Sequence, residues 1–196
     1  MKKAICTVFS CFFLAGAFAQ NVAYINEKPV SVKEFIWVYK KNHSGSSNAT
    51  LAELESYLDL YIHFKLKALD AREQGLQNEQ DYITEVKNYE HALLSQKKIS
   101  GNKKEYELIM AEYKDAVLMF TLSESKIWKR SQNDTVALLN FYQKSTSSYQ
   151  SKPFAEVKTL VISDYQKYLE AEWIAQLLEK HKVTVNKAEL KKLAKL

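Results

Sequence analysis

The sequence predicts a mainly α, multi-helix fold with one small β-sheet built from short strands near the two chain ends. Three observations carry this. Chain breakers are scarce: the 196 residues include four glycines and two prolines, amid many Lys, Glu, Leu, Ala and Tyr residues that favour long helices. Apolar residues recur at three- and four-residue steps along most of the chain. The two clearest β-prone runs, Val22–Ile25 and Val183–Val185, lie at opposite ends, so their pairing would close the molecule.

Each element has a local reason. After Val22–Ile25, Asn26-Glu27-Lys28 is a turn, and Pro29-Val30 is a second extended piece whose proline, lacking an N–H, suits an edge. Ser31 and Glu34 have capping-box spacing, which predicts a helix over 32–41. His43 to Ala49 reads HSGSSNA, a polar loop. Thr50 and Glu53 form a second capping box. The helix behind it carries Leu51, Leu54, Leu58, Tyr61, Ile62, Phe64, Leu66 and Leu69. It is apolar nearly all round and should be central. Gly75 is a natural helix stop.

The next helix is predicted over 78–100, with Tyr82, Val86, Tyr89 and Leu93 on one face and Gly101-Asn102 as the break. Tyr106, Met110, Tyr113, Val117, Phe120 and Ile127 then mark one long helix ending near Lys129 or Ser131. Its tyrosines and Phe120 are assigned to the core. Glu124 interrupts the stripe, so an unbroken coiled coil is not predicted. Asp134 caps a shorter helix with Val136, Leu139 and Tyr142. Residues 145–152 form a Ser-rich linker. Pro153 suits the start of a helix carrying Ile162, Tyr165, Leu169, Trp173 and Leu177. Asn186 and Glu189 have capping-box spacing ahead of a basic final helix.

The first nineteen residues read as a signal peptide. Lys2 and Lys3 precede an apolar run from Ile5 to Leu14, and Ala17-Phe18-Ala19 is a small-x-small cleavage site before Gln20. Cleavage between Ala19 and Gln20 would deliver residues 20–196 to the periplasm as one module. Both cysteines, Cys6 and Cys11, lie in this leader. The remainder therefore has no disulfide framework, thiolate nucleophile or cysteine metal site. No later apolar run is long enough to span a membrane, so stable membrane insertion is not expected after cleavage. The net charge is +5, two of those charges being leader lysines. Lys and Glu are mixed along the rest, which reads as a solvated surface and argues against a nucleic-acid partner.

No catalytic signature is present. His43, His63, His91 and His181 are scattered, and no pair has metal-ligand spacing. His63, on the central helix, reads as a hydrogen-bonded structural histidine. Carboxylates such as Glu53, Glu55 and Asp59 read as a solvated face. No catalytic residue, metal ligand or cofactor is assigned. The chemical excess is in tyrosine, with twelve residues; tyrosine joins apolar area to a polar tip and suits adaptable contacts. Tyr82 and Tyr89, on the helix with the thinnest apolar stripe, are the candidates for contact with a polypeptide client. Asp134-Thr135-Val136 matches the D-[ST]-apolar pattern that some Gram-negative bacteria O-glycosylate, which marks Thr135; Asp134 as a simple N-cap is the plainer reading.

The opening VAYINEKPVSVKEFIWVYKKN resembles the first segment of SurA-like periplasmic foldases, the parvulin-type peptidyl-prolyl isomerase family. Leu54 to Leu76, Glu112 to Trp128, Leu138 to Tyr149 and Val161 to Asn186 resemble later blocks of that family, in order. The departure is informative. Longer members carry parvulin domains between such blocks, whereas here KKISGNKKEYEL leads directly into the next helix. The resemblance thus implies the helical chaperone module without the isomerase. It also implies that the N-terminal part and the final helix form one core.

The function this implies is ATP-independent binding of unfolded outer-membrane or secreted polypeptides, in support of folding and outer-membrane biogenesis. Alternatives are an accessory binding subunit of an envelope assembly and a family member with residual isomerase activity. An open helical module can also bury apolar surface against a copy of itself, so a homodimer is one expectation.

Overall fold

The computed structural model describes residues 20–43, 49–96, 99 and 102–194. The proposed leader, including Ala19, lies outside the described residues. Gln20 is exposed, and its carbonyl accepts a hydrogen bond from Val32 N at 2.8 Å.

The sheet forms as the sequence predicts. Strands β1 (Asn21–Ile25), β2 (Lys28–Ser31) and β3 (Val183–Val185) are antiparallel in the order β2-β1-β3. Tyr24 faces Pro29 on one side and Thr184 on the other. Asn26 turns the hairpin with φ 54°, a left-handed value that Asn tolerates. Its backbone N–H donates to Lys182 at 2.7 Å, tying the turn to the chain entering β3. A register shift between Asn21 and Ala23 breaks the usual alternation, and adjacent Val22 and Ala23 are both fully buried.

Helix α1 (Val32–Asn42) starts at Ser31, whose Oγ accepts from Glu34 N at 3.1 Å. The box is only half made there, because the Glu34 carboxylate instead accepts from Tyr61 and Lys65 of the next helix. Helix α2 (Leu51–Glu73) has the complete box between Thr50 and Glu53. It is the central helix. Leu54, Leu58, Tyr61, Ile62 and Leu66 are buried along it, each contributing roughly 2 kcal/mol. Gly75 follows with φ 82°, and Leu76–Asn78 tighten into a 3₁₀ turn. Helix α3 therefore runs Gln80–Leu94, starting two residues later than predicted.

Helix α4 (Lys103–Ser123) passes through a π turn (Glu124–Trp128) into the short α5 (Lys129–Asn133). The predicted stripe fails most clearly at Phe120. Phe120 is 59 % exposed, and Leu118 and Leu122 are buried instead. The π turn explains the mismatch. It inserts a wider turn at Glu124, so one α-helical stripe cannot include both Phe120 and Ile127 on the buried face. Ile127 is buried, and Phe120 packs edge-on against Trp128 outside.

Asp134 caps α6 (Thr135–Lys144), accepting from Ala137 N at 2.9 Å. Val136, on the predicted face, is exposed and Leu138 is the buried residue, while Tyr142 packs against the core as predicted. The Ser-rich stretch is a folded turn: Thr146–Tyr149 is 3₁₀, Gln150 and Ser151 are left-handed, and Tyr149 is buried. Helix α7 (Phe154–Lys180) starts at Pro153 and buries Val161, Tyr165, Leu169, Trp173 and Leu177. Helix α8 (Lys187–Leu193) is capped by Asn186 and buries Leu190 completely.

The main core joins the sheet, α1, α2, the end of α4, α6, α7 and α8. A separate cluster of Val86, Leu93, Ile99 and Met110 holds α3 against α4. With so few buried side chains, this hairpin is the weaker cooperative unit.

Two further readings are corrected. The structural histidine is His181, buried, with Nδ1 3.1 Å from Asn26 Nδ2; His63 is half-exposed. Carboxylates are not all on a solvated face. Asp70 and Asp115 are buried, and each is held by cations and donors from neighbouring elements.

Candidate functional site

Among the described residues no group of three or more His, Cys, Asp or Glu side chains is placed to hold a metal ion, and no helix is long and apolar enough to cross a membrane. The candidate site is a groove between the α3–α4 hairpin and the pair α1–α2. Its more enclosed end is a cavity of about 300 Å³. Tyr57, Leu60, Tyr61 and Phe64 of α2 form one wall. Tyr89 of α3 and Ile109, Tyr113 and Ala116 of α4 form the other. Lys41 and Asn42, at the end of α1, close one side.

The α2 wall follows from helical spacing. Tyr57, Tyr61 and Phe64 stand four and three residues apart, so their rings share a face. Tyr61 and Phe64 stack with centroids 5.8 Å apart. Leu60 is 63 % exposed at the mouth. On the opposite wall Tyr89 and Tyr113 stack nearly parallel, 3.5 Å between centroids. This pairing of α3 with α4 builds a flat aromatic surface.

Polar contacts set the rings in place. Tyr57 Oη donates to Val38 O at 3.2 Å and lies 2.7 Å from Asn42 Nδ2, which donates to it. Tyr61 Oη donates to Glu34 at 2.6 Å. Tyr113 Oη donates to Glu85. Lys41 pairs with Glu112 and ties α1 to α4 across the groove. Beneath the groove, Lys65 bridges Glu34 at 3.0 Å and Asp115 at 2.8 Å, while Arg72 also pairs with Asp115. This chain of charges fixes the spacing of α1, α2 and α4.

The hydroxyls stay protonated at neutral pH. Burial raises the Tyr57 pKa, against the Asn42 hydrogen bond. Burial, followed by the Glu34 charge, raises Tyr61 strongly. Burial and the Glu85 hydrogen bond push Tyr113 up to about 12. Burial disfavours a charged Lys65, but Asp115 and Glu34 outweigh it and leave its pKa above the ordinary lysine value. The groove walls thus present apolar faces and neutral hydroxyl oxygens whose protons are donated within the fold, with charge confined to paired groups beneath and beside them. That chemistry binds apolar side chains and accepts from backbone N–H groups.

The sequence candidates fall in different places. Tyr89 lines the groove. Tyr82 does not; it lies seven residues away, half-buried between the two core clusters, beside Leu76, Val117 and Leu118. Thr135 is the exposed first residue of α6, next to a cap that is fully used by Asp134. Tyr113, assigned to the core, is half-buried and faces the groove. The groove residues that sequence reasoning missed are Tyr57, Leu60, Tyr61 and Phe64. Their four- and three-residue spacing is visible, but it is also the spacing of core.

No family model matches this chain, and no match was found among curated proteins or solved structures.

Proposed function

We propose that this chain is an ATP-independent, chaperone-like module that binds unfolded or extended polypeptides in the periplasm, of the SurA-like helical kind and without a parvulin domain. The observation that carries the reading is the aromatic groove between α2 and the α3–α4 hairpin, with Leu60 exposed at its mouth. Holding a client needs no catalytic residue. It needs apolar area that water leaves readily, and neutral hydrogen-bonding groups that suit any backbone. Rings and neutral hydroxyls supply both. The sheet that ties β3 to β1 also agrees with the core the resemblance implies.

The test uses a urea-unfolded outer-membrane β-barrel protein, diluted into buffer with and without excess purified chain, followed by light scattering. The expected result is suppressed aggregation, reduced severalfold by Leu60→Glu. Leu60 is mostly exposed, so this variant changes the groove mouth and leaves the fold intact. No suppression across several unfolded clients would reject the general-chaperone reading and favour a single dedicated partner.

A further inference from the structure

The groove does not end at the aromatic cavity. It continues along α1 and α4 into two further hollows of about 570 and 340 Å³. Tyr89, Lys41 and Ile109 are shared between the first and second, and Trp37 and Glu105 between the second and third. The lining changes character on the way. Lys33, Lys40 and Lys41 surround Trp37 on α1, and Lys104 joins them from α4. Positions 33, 37, 40 and 41 share one helix face. Lys41 Nζ lies 5.4 Å from the Trp37 ring centroid.

Of the acids here, Glu112 is ion-paired, and Glu105, which lines both hollows, keeps its charge. Glu112 pairs with Lys41. Glu105 accepts from the Asn102 amide at 2.9 Å. Glu107, close by on α4, faces Lys103 at 3.9 Å. Lys33, Lys40 and Lys104 have no ion-pair partner among the described residues. Lys33 and Lys104 line the same hollow. Partial desolvation and then the Lys104 ammonium lower the Lys33 pKa, with Glu107 opposing. An anion placed between them would relieve that repulsion.

Resting on the polypeptide-binding reading above, we propose that the groove is bipolar: it selects extended segments in which aromatic or aliphatic side chains are followed by a run of Asp and Glu. The apolar part lies against Tyr61, Phe64 and Tyr89. The acidic part lies along Lys33, Lys40 and Lys104, with Trp37 packing on the side chains between. Charge complementarity favours this occupant. An uncharged client would leave these lysines unpaired, and a basic one would add to their repulsion.

Three labelled peptides of about twelve residues, long enough to span roughly 40 Å when extended, separate the outcomes by fluorescence anisotropy. They share one aromatic-aliphatic half, and the other half is acidic, neutral or basic. The expected order is acidic, neutral, basic, with acidic about tenfold tighter than neutral, the size that a few solvent-screened ion pairs supply. The difference should collapse at about 0.5 M salt. Lys33→Glu with Lys104→Glu, both exposed positions, should reverse the order while the circular dichroism spectrum stays unchanged. Equal affinity for the three peptides, with binding still lost in Leu60→Glu, overturns the bipolar groove and leaves the polypeptide-binding reading standing. Binding of none of them removes both. Binding to anionic phospholipid vesicles through the same two lysines, without an acidic-peptide preference, also overturns it and assigns the basic end to a membrane surface.

Discussion

Asp70 joins three elements through one buried carboxylate. It accepts from Trp173 Nε1 of α7 at 2.8 Å and from Gln74 at 3.0 Å, and Lys126 of the π turn lies 3.4 Å away. Lys126 and Lys67 also lie 5.3 and 5.5 Å from the Trp173 ring centroid, adding cation–π attraction. Burial pushes the Asp70 pKa up, but the hydrogen bonds and the Lys126 charge outweigh it, leaving the carboxyl below its ordinary value. Its contribution to stability is therefore complete above the unfolded-state pKa of about 3.9 and lost as pH falls through the lower folded-state value. Asp70→Asn should cost about 1–2 kcal/mol at pH 7. Urea unfolding of both proteins should show that gap closing on acidification to about pH 2. A gap constant with pH would mean the carboxylate charge does not matter there.

At the scale of elements, the stops shape the groove as much as the helices do. Gly75 ends α2 at φ 82°, and a Cβ there would meet nothing nearer than Asn78 Nδ2 at 4.0 Å. The cost of a side chain is thus conformational rather than steric. Gly75→Ala should destabilise by about 1 kcal/mol. Gly75→Asn, which tolerates the left-handed region, should recover most of that loss. Denaturant midpoints measure both; an Asn variant as unstable as the Ala variant would rule out the left-handed explanation. The turn that Gly75 allows sends the chain back along α4, which places Tyr89 opposite α2. The π turn works similarly. It swings Lys126 to Asp70 and Ile127 into the core, and leaves Phe120 outside.

For the whole molecule, closure depends on the segment after α7. β3 supplies the second partner of β1, Asn186 N donates to Val22 O at 2.8 Å, and Leu190 of α8 is fully buried. Ending the chain after Lys182 removes all three, and also bares the far edge of β1. The loss should be about 4 kcal/mol or more, seen as a lower denaturant midpoint and a smaller cooperative transition. An unchanged midpoint would show that the helices hold without the sheet. α1, which carries Lys33, Trp37 and Lys41, packs on the sheet and α2. The loosened sheet should therefore also weaken the basic end of the groove.

Local chemistry was enough for the sequence to determine the fold class, the helix starts at Ser31, Thr50, Asp134 and Asn186, the stop at Gly75 and the pairing of β3 with β1. Caps, left-handed turns and β-branched runs act over a few residues, so they can be read along the chain. Tyr89, singled out because its helix has a thin apolar stripe, lines the groove. Its partners were not singled out. Tyr57, Tyr61, Phe64 and Tyr113 carry the same three- and four-residue spacing whether they fill a core or line a groove. Only the tertiary structure decided that α3 stacks on α4 and stands off from α2, leaving those rings accessible. It also decided that Phe120 faces out and that Asp70 and Asp115 lie inside. The physical reason is the same in each case. Helical periodicity specifies which side chains share a face, and what another element brings to that face determines whether they meet core, cation, client or water.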